Sequence, residues 1–206
     1  MTRRRLASEL GVVAGFEDPS ATLEQYHTPP AIAAHIVHLA DLQEDLASRT
    51  VVDLGCGTGM LALGAALRGP ERVVGVDLDP APLATARDNE RRVGALTDVE
   101  WIRADATEAP LCLADATVLM NPPFGAQSGN EHADRAFLEI AGAMASVSYS
   151  VHNAGSREFV ESFVTDAGGE VTHGFEATFD LPRQFEFHDE DGRLLDVEVF
   201  RTEWSG

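Results

Sequence analysis

Asn121-Pro122-Pro123-Phe124 is the stretch of this chain whose residue types suit chemistry on a planar amino group. It follows an apolar run, Ala116-Thr117-Val118-Leu119-Met120, which reads as a buried strand stopped by two prolines. Neither proline can donate a backbone hydrogen bond, so the chain leaves the strand as a stiff, extended turn with Asn121 at its entry and Phe124 at its tip. The Asn121 side-chain oxygen and the Pro122 carbonyl can accept the two hydrogens of an amino group while Phe124 stacks on the ring that carries it. Taken alone, the tetrapeptide equally suits an Asn-Pro turn beside a core phenylalanine. Its meaning rests on what stands around it.

A second chemical stretch is Asp53-Leu54-Gly55-Cys56-Gly57-Thr58-Gly59-Met60, with glycines at alternate positions between a strand and a helix, where backbone can approach a ligand closely. A dinucleotide fingerprint would need glycine where Met60 stands, which argues against a pyrophosphate. Asp77 ends the next strand about twenty residues on, where a carboxylate can accept from both ribose hydroxyls. Asp105 ends the third strand, placed to accept from an adenine amino group. Loop, ribose acid and adenine acid together suit S-adenosylmethionine, whose sulfonium also favours an acidic site. Asp53 fits either a brace for the loop or a direct ligand contact, and Cys56 reads as a small buried filler.

A methyl on a sulfonium needs alignment more than activation. The acceptor is the difficulty, because an exocyclic purine amine shares its lone pair with the ring. Drawing its hydrogens onto the Asn121 oxygen and the Pro122 carbonyl favours a more tetrahedral nitrogen, with stacking on Phe124 adding ~1–3 kcal/mol per base. No strong general base is required. The target base must be unpaired or turned out of its helix.

The elements that must position these residues alternate. Strands are predicted at Val51 to Leu54, Arg72 to Val76, Val99 to Ile102, Ala116 to Met120 and Val147 to Val151, with helices at Met60 to Leu67, Pro80 to Val93, Asp134 to Met144 and Ser156 to Ala167. Two β-rich stretches, Glu170 to Phe179 and Leu194 to Arg201, close the chain. Such alternation predicts a mostly parallel, doubly wound sheet with an antiparallel edge. Right-handed crossovers bring the ends of the first four strands to one edge. Before this lies a helical extension over residues 1–49: a short periodic stretch, then an Ala/Ile/Val-rich helix for which Thr28 is placed as N-cap and Pro29 as first residue. No internal repeat or linker is evident, so residues 1–206 are expected to form one domain.

Asp+Glu 34 against Lys+Arg 15 gives a formal net charge of −19, and all fifteen basic residues are arginine. Such an excess is tolerated where salt screens it, so the acidity is expected to reflect a salt-loving source more than the mechanism. Arg3 to Arg5 form the one basic cluster, either solvated or a landing place for phosphate. Cys56 and Cys112 are too few for a disulfide framework and are not spaced as a metal site, which fits a reduced cytoplasm without a bound metal. No apolar run approaches the ~20 residues of a membrane span, and the start has no apolar core of a signal peptide.

The order Glu24-Gln25-Tyr26…Thr28, Asp53-Leu54-Gly55-Cys56-Gly57, Asp77-Leu78-Asp79, Asn121-Pro122-Pro123-Phe124-Gly125 and Tyr149-Ser150-Val151-His152 resembles the small archaeal and eukaryotic methyltransferases that make N6-methyladenosine in small-subunit rRNA, the methyltransferase-like-five group. The similarity runs from about Arg5 to the C-terminal strand. It implies a Rossmann-like class I fold with a seven-stranded sheet. Gln25, Thr28, Gly55, Thr58, Met60, Asp77, Asp105 and Ala106 would line the S-adenosylmethionine site, and Asn121 to Phe124 would be the catalytic loop. The implied partners are small-subunit rRNA and a small zinc-binding activator protein that completes the sheet edge.

The chain departs from that pattern in two places. Asn153 stands where members commonly carry lysine, and the segment Arg183 to Asp191 is largely acidic where theirs is basic. Phe185 and Phe187 alternate there at strand spacing, so one face can be core. His152 and His188 are expected to be structural hydrogen-bonders. Release-factor glutamine methyltransferases share the clamp, but usually carry tyrosine in place of Phe124 and a separate N-terminal domain for which residues 1–49 are too short. Guanine N2 in rRNA is a closer chemical competitor. A non-catalytic S-adenosylmethionine-binding subunit is at odds with an intact clamp.

Overall fold

The computed structural model describes residues 1–124, 133–181 and 193–205. His188, Phe185, Phe187, Gly125 and the acidic segment after Arg183 lie outside them. Helices α1 (Arg3–Leu10) and α2 (Pro30–Leu42) precede β1 (Thr50–Leu54), α3 (Met60–Ala66), β2 (Arg72–Asp77), α4 (Pro80–Val93), β3 (Val99–Arg103), β4 (Ala116–Met120), α5 (Ala133–Met144), β5 (Ala145–Asn153), α6 (Arg157–Asp166), β6 (Gly169–Leu181) and β7 (Arg193–Trp204). The strands form one seven-stranded sheet in the order β3-β2-β1-β4-β5-β7-β6. β7 alone runs against its neighbours, pairing antiparallel with both β5 and β6.

Both faces of the sheet are covered, which is why β1, β2 and β4 read as unbroken apolar runs. Val51, Val73, Leu119, Tyr149, Val151 and Val199 point into one core with residues of α1, α2 and α3. Val52, Val74, Val118, Met120 and Phe200 point into the other with residues of α5 and α6. α4 starts and stops as its sequence dictates: the Asp79 carboxylate accepts from Ala81 N–H, Pro80 occupies the first turn, and Gly94 closes the helix at φ 63°. α2 does not. Its N-cap is Pro29 with no side-chain hydrogen bond, and the helix begins at Pro30, so Thr28 is not the cap that its spacing predicts. Two consecutive prolines push the start one residue on, because Pro30 confines Pro29 to the extended region where a cap residue sits.

The first core encloses an ion pair. Asp45, in the turn after α2, accepts from Tyr149 Oη at 2.5 Å and from Arg201 Nε at 2.8 Å and Nη2 at 3.0 Å. Thr117 of β4 donates to the Asp45 carbonyl, so this one turn is tied to β4, β5 and β7. The Asp45 carboxylate and burial together hold the Tyr149 hydroxyl protonated. Removing either charge would strand the other, at a cost of about 3–5 kcal/mol. The tyrosine of the Tyr-Ser-Val-His run is therefore part of the frame.

Candidate active site

Parallel register brings the functional loops to one edge: Leu54 lies beside Val76 and Met120, and Asp77 beside Arg103. The order of strands reverses between β1 and β4, the position where sheets of this kind bind ligands. A cavity of about 420 Å³ opens there, lined among others by Gln25, Gly55, Gly57, Asp77, Asp105, Ala106, Asn121 and Pro123. It shares Gly55, Gly57 and Asn121 with a recess of about 30 Å³ that Thr28, Asp53, Thr58 and Met60 also line. The structure thus brings every residue assigned to the cofactor from the sequence to one of two adjoining spaces.

The glycine loop is held from three sides. Cys56 N–H donates to the Val76 carbonyl at 2.9 Å, Gly57 N–H to Asp77 Oδ2 at 2.7 Å, and Ala62 N–H of α3 to Asp53 Oδ2 at 2.8 Å. Gly57 sits at φ 52°, and a β-carbon there would meet Phe16 Cζ at 2.8 Å. Burial pushes the Asp53 pKa up to about 7 against the pull of the Ala62 N–H, with the Asp77 charge adding to the rise. Asp53 therefore braces the start of α3 and also borders the recess. Asp77 accepts from Asp79 N–H through its other oxygen, and burial raises its pKa. Asp105 Oδ1 accepts from the Thr107 N–H and hydroxyl, which turns its carboxylate at the mouth of the cavity.

Residues 11–29 cross this edge as a strap. Asn89, on the otherwise apolar stripe of α4, donates to the Ala14 and Thr58 carbonyls at 3.0 Å each and accepts from Ala14 N–H at 2.9 Å. Gln25 accepts from Ser20 N–H at 2.8 Å and donates to Asp79 at 2.9 Å, so it ties the strap to the turn that presents Asp77. The strap lays Phe16 against Gly57 and along both spaces. Sequence reasoning missed Phe16 and Asn89. Nothing local distinguishes Phe16 in its Gly- and Pro-flanked loop, whereas a polar residue on the buried stripe Leu83, Ala86, Asn89 was a legible signal.

The clamp is fastened at both ends. Asn121 Nδ2 donates to Thr28 Oγ1 at 3.0 Å, while its Oδ1 is buried without a hydrogen-bond partner among the described residues. Asn153, at the end of β5, donates to the Phe124 carbonyl at 3.1 Å, and the Tyr26 and Phe124 rings lie 6.2 Å apart at 31°. Pro122 is buried and Pro123 lines the cavity. An amide oriented by a hydroxyl, in a residue lining the cavity and with a buried oxygen that lacks a donor, is an acceptor whose hydrogen bond is left unmade.

His152 departs from expectation. Its ring is buried against Phe200 at 5.8 Å and, among the described residues, neither nitrogen makes a hydrogen bond, Asp134 Oδ2 standing 4.0 Å from Nδ1, and burial pushes its pKa down to about 4. Cys56 is buried, and burial raises its thiol well above the usual range, as suits a filler. Among the described residues no group of His, Cys, Asp and Glu is arranged to hold a metal.

The family model for the methyltransferase small domain matches residues 33–148, over half the chain. The rRNA N(6)-adenosine-methyltransferase Mettl5 of Drosophila melanogaster is 35% identical over 97% of this chain and 95% of its own. The chain belongs to this methyltransferase family. Its zebrafish relative, the rRNA N(6)-adenosine-methyltransferase METTL5 of Danio rerio, is 33% identical and covers 98% of both chains. The crystal structure of PH1948 from Pyrococcus horikoshii superposes with a TM-score of 0.89 at 34% identity over the full length of each. As a family member the chain is an S-adenosylmethionine-dependent methyltransferase. The cavity fits that cofactor: Gly55 and Gly57 line it without side chains, carboxylates stand at Asp77 and Asp105, and Asn121 of the clamp is at the wall.

Proposed function

We propose that this enzyme methylates N6 of an unpaired adenosine in small-subunit rRNA. The observation that carries the reading is the buried, unpartnered Oδ1 of Asn121, beside a cavity whose other walls suit an adenosyl cofactor. The substrates in the names of the full-length relatives support it. S-adenosylmethionine, when bound, supplies an electrophilic methyl carbon. The chain's own contribution is at the acceptor. Asn121 Oδ1 and the Pro122 carbonyl take the two amino hydrogens, which turns the nitrogen lone pair out of conjugation. Phe124, flanked by Tyr26, holds the base plane, and Thr28 keeps the amide from rotating. The spare proton leaves to water after transfer.

Gln25, Thr28, Asp53, Gly55, Gly57, Thr58, Met60, Asp77, Asp105 and Ala106 are the residues proposed to hold the cofactor, with Asp77 on the ribose and Asp105 on the adenine. An activator protein adding a strand would find two sheet edges, β3 and β6, each paired on one side only among the described residues. Nucleoside mass spectrometry of small-subunit rRNA, with and without the gene, tests the reaction. N6-methyladenosine should disappear from one position in the deletion strain, and purified enzyme with tritiated S-adenosylmethionine should restore it. Label confined to protein, or recovered as N2-methylguanosine, would overturn the reading.

A further inference from the structure

An enzyme with a net charge of −19 must find somewhere to lay a polyanion. Most described arginines are committed to carboxylates within 4.0 Å, as in Arg72–Glu100 and Arg201–Asp45. Arg3 and Arg4 are exceptions: exposed on α1, with no side-chain partner among the described residues. α1 packs on α2, whose His35 ring stacks on Phe175 of β6 with centroids 4.0 Å apart and planes at 26°, both half-buried. Arg3 is near enough to help hold the His35 pKa down, behind the larger effect of burial. Arg68 shares the region, its guanidinium 3.0 Å from the His38 ring and its charge met by Asp41.

Register ties this cluster to the clamp. Phe175 lies beside Val199, and Val199 beside Val151, two residues before the Asn153 that holds Phe124. Two strand spacings across and two residues along amount to about 12 Å. Val151, Val199, Phe175, Phe124 and Leu6 and Leu10 of α1 feed the same core, so the clamp, the ring pair and the helix that bears the two arginines lie on one side of the sheet. We infer that RNA flanking the target adenosine runs from Phe124 across this face, with a base stacked on the His35–Phe175 pair and phosphates on Arg3 and Arg4. This rests on the RNA substrate proposed above. Rings beside free guanidinium groups are what single-strand binders combine. At molar salt the Debye length falls to about 3 Å, so ring stacking keeps its strength where phosphate contacts fade. An acidic protein partner would find the chain's net charge against it.

The test uses the full chain and an rRNA fragment containing the methylated adenosine. His35→Ala combined with Phe175→Leu, which keeps apolar bulk but removes both rings, should raise the KM for RNA about tenfold or more at high salt, with kcat and cofactor affinity held. Arg3→Gln with Arg4→Gln should act mainly at low salt, reducing the slope of log K against log[salt] by about 1.4, or 0.7 per lost phosphate contact on a single strand. Arg91→Gln on α4 serves as a control and should change neither. Equal KM and equal salt slope in both variants would overturn the inference. If the wild type methylates no RNA, the substrate assignment fails instead, whatever the variants do.

Discussion

Replacing Asn121 by alanine separates what the clamp does for the fold from what it does for the reaction. Among the described residues the amide gives one hydrogen bond, to Thr28 at 3.0 Å, and leaves Oδ1 buried without a partner. The bond contributes about 1 kcal/mol and the stranded acceptor costs about 1–3 kcal/mol. Asn121→Ala removes both, so the net change in stability should stay within about 1 to 2 kcal/mol and can favour the variant. At 2–4 °C per kcal/mol for a chain of this size, the melting temperature should move by only a few degrees. Turnover should behave differently. Loss of one preorganised hydrogen-bonding group at a reacting centre costs about 10²–10³ in kcat. Cofactor affinity measured by calorimetry, melting temperature, and single-turnover transfer from tritiated S-adenosylmethionine to RNA together decide the matter. Transfer within tenfold of wild type, or a loss that follows cofactor affinity in proportion, would refute the role given to the oxygen.

Two further predictions concern residues behind the clamp. Asn153→Asp keeps the side chain's shape but replaces the donor to the Phe124 carbonyl with a repelling carboxylate, so kcat/KM should fall about tenfold with cofactor affinity unchanged, while Asn153→Lys, which still donates, should retain activity in the same steady-state assay. His152 has a folded pKa near 4 against 6.5 for the free side chain, so between those values the unfolded chain binds the extra proton and stability falls as pH falls. The full difference is about 3 kcal/mol, present above pH 6.5 and lost as pH falls toward 4. His152→Leu should be free of it, and urea unfolding of both proteins at pH 7.5 and 5 will show whether their stabilities diverge.

The sheet was legible because the code for it is local. Alternating apolar runs, the Asp79-Pro80 start and the Gly94 stop of α4, and the prolines after β4 each act within a few residues, and the predicted bounds of α4 and β4 coincide with those observed. What misled was competition between local rules. Thr28-Pro29 is a good cap signal, but Pro30 behind it shifts the helix start and frees the threonine for Asn121, 93 positions away. His152 misled because hydrogen bonding is the usual lot of a buried imidazole, and nothing nearby in sequence reveals that this ring packs on Phe200 with no hydrogen bond from either nitrogen among the described residues.

The site shows why such distant ties are needed. The clamp's two prolines have no N–H to give, so the turn cannot be fixed by sheet hydrogen bonds, and its position must come from side chains of other segments. Thr28 arrives on the strap and Asn153 on the end of β5, one at each end of the tetrapeptide. The strap is itself pinned by Asn89 to the glycine loop and by Gln25 to the turn after Asp77. Groups proposed to hold the cofactor are therefore mechanically continuous with the group proposed to aim the acceptor. A change at Gln25 in the strap, or at Asn89 of α4 that pins it, should disturb both together, whereas a change at Asn153 reaches the acceptor alone. That asymmetry follows from which residue bonds which, and cofactor affinity measured beside kcat in the Gln25→Ala and Asn153→Asp variants will expose it.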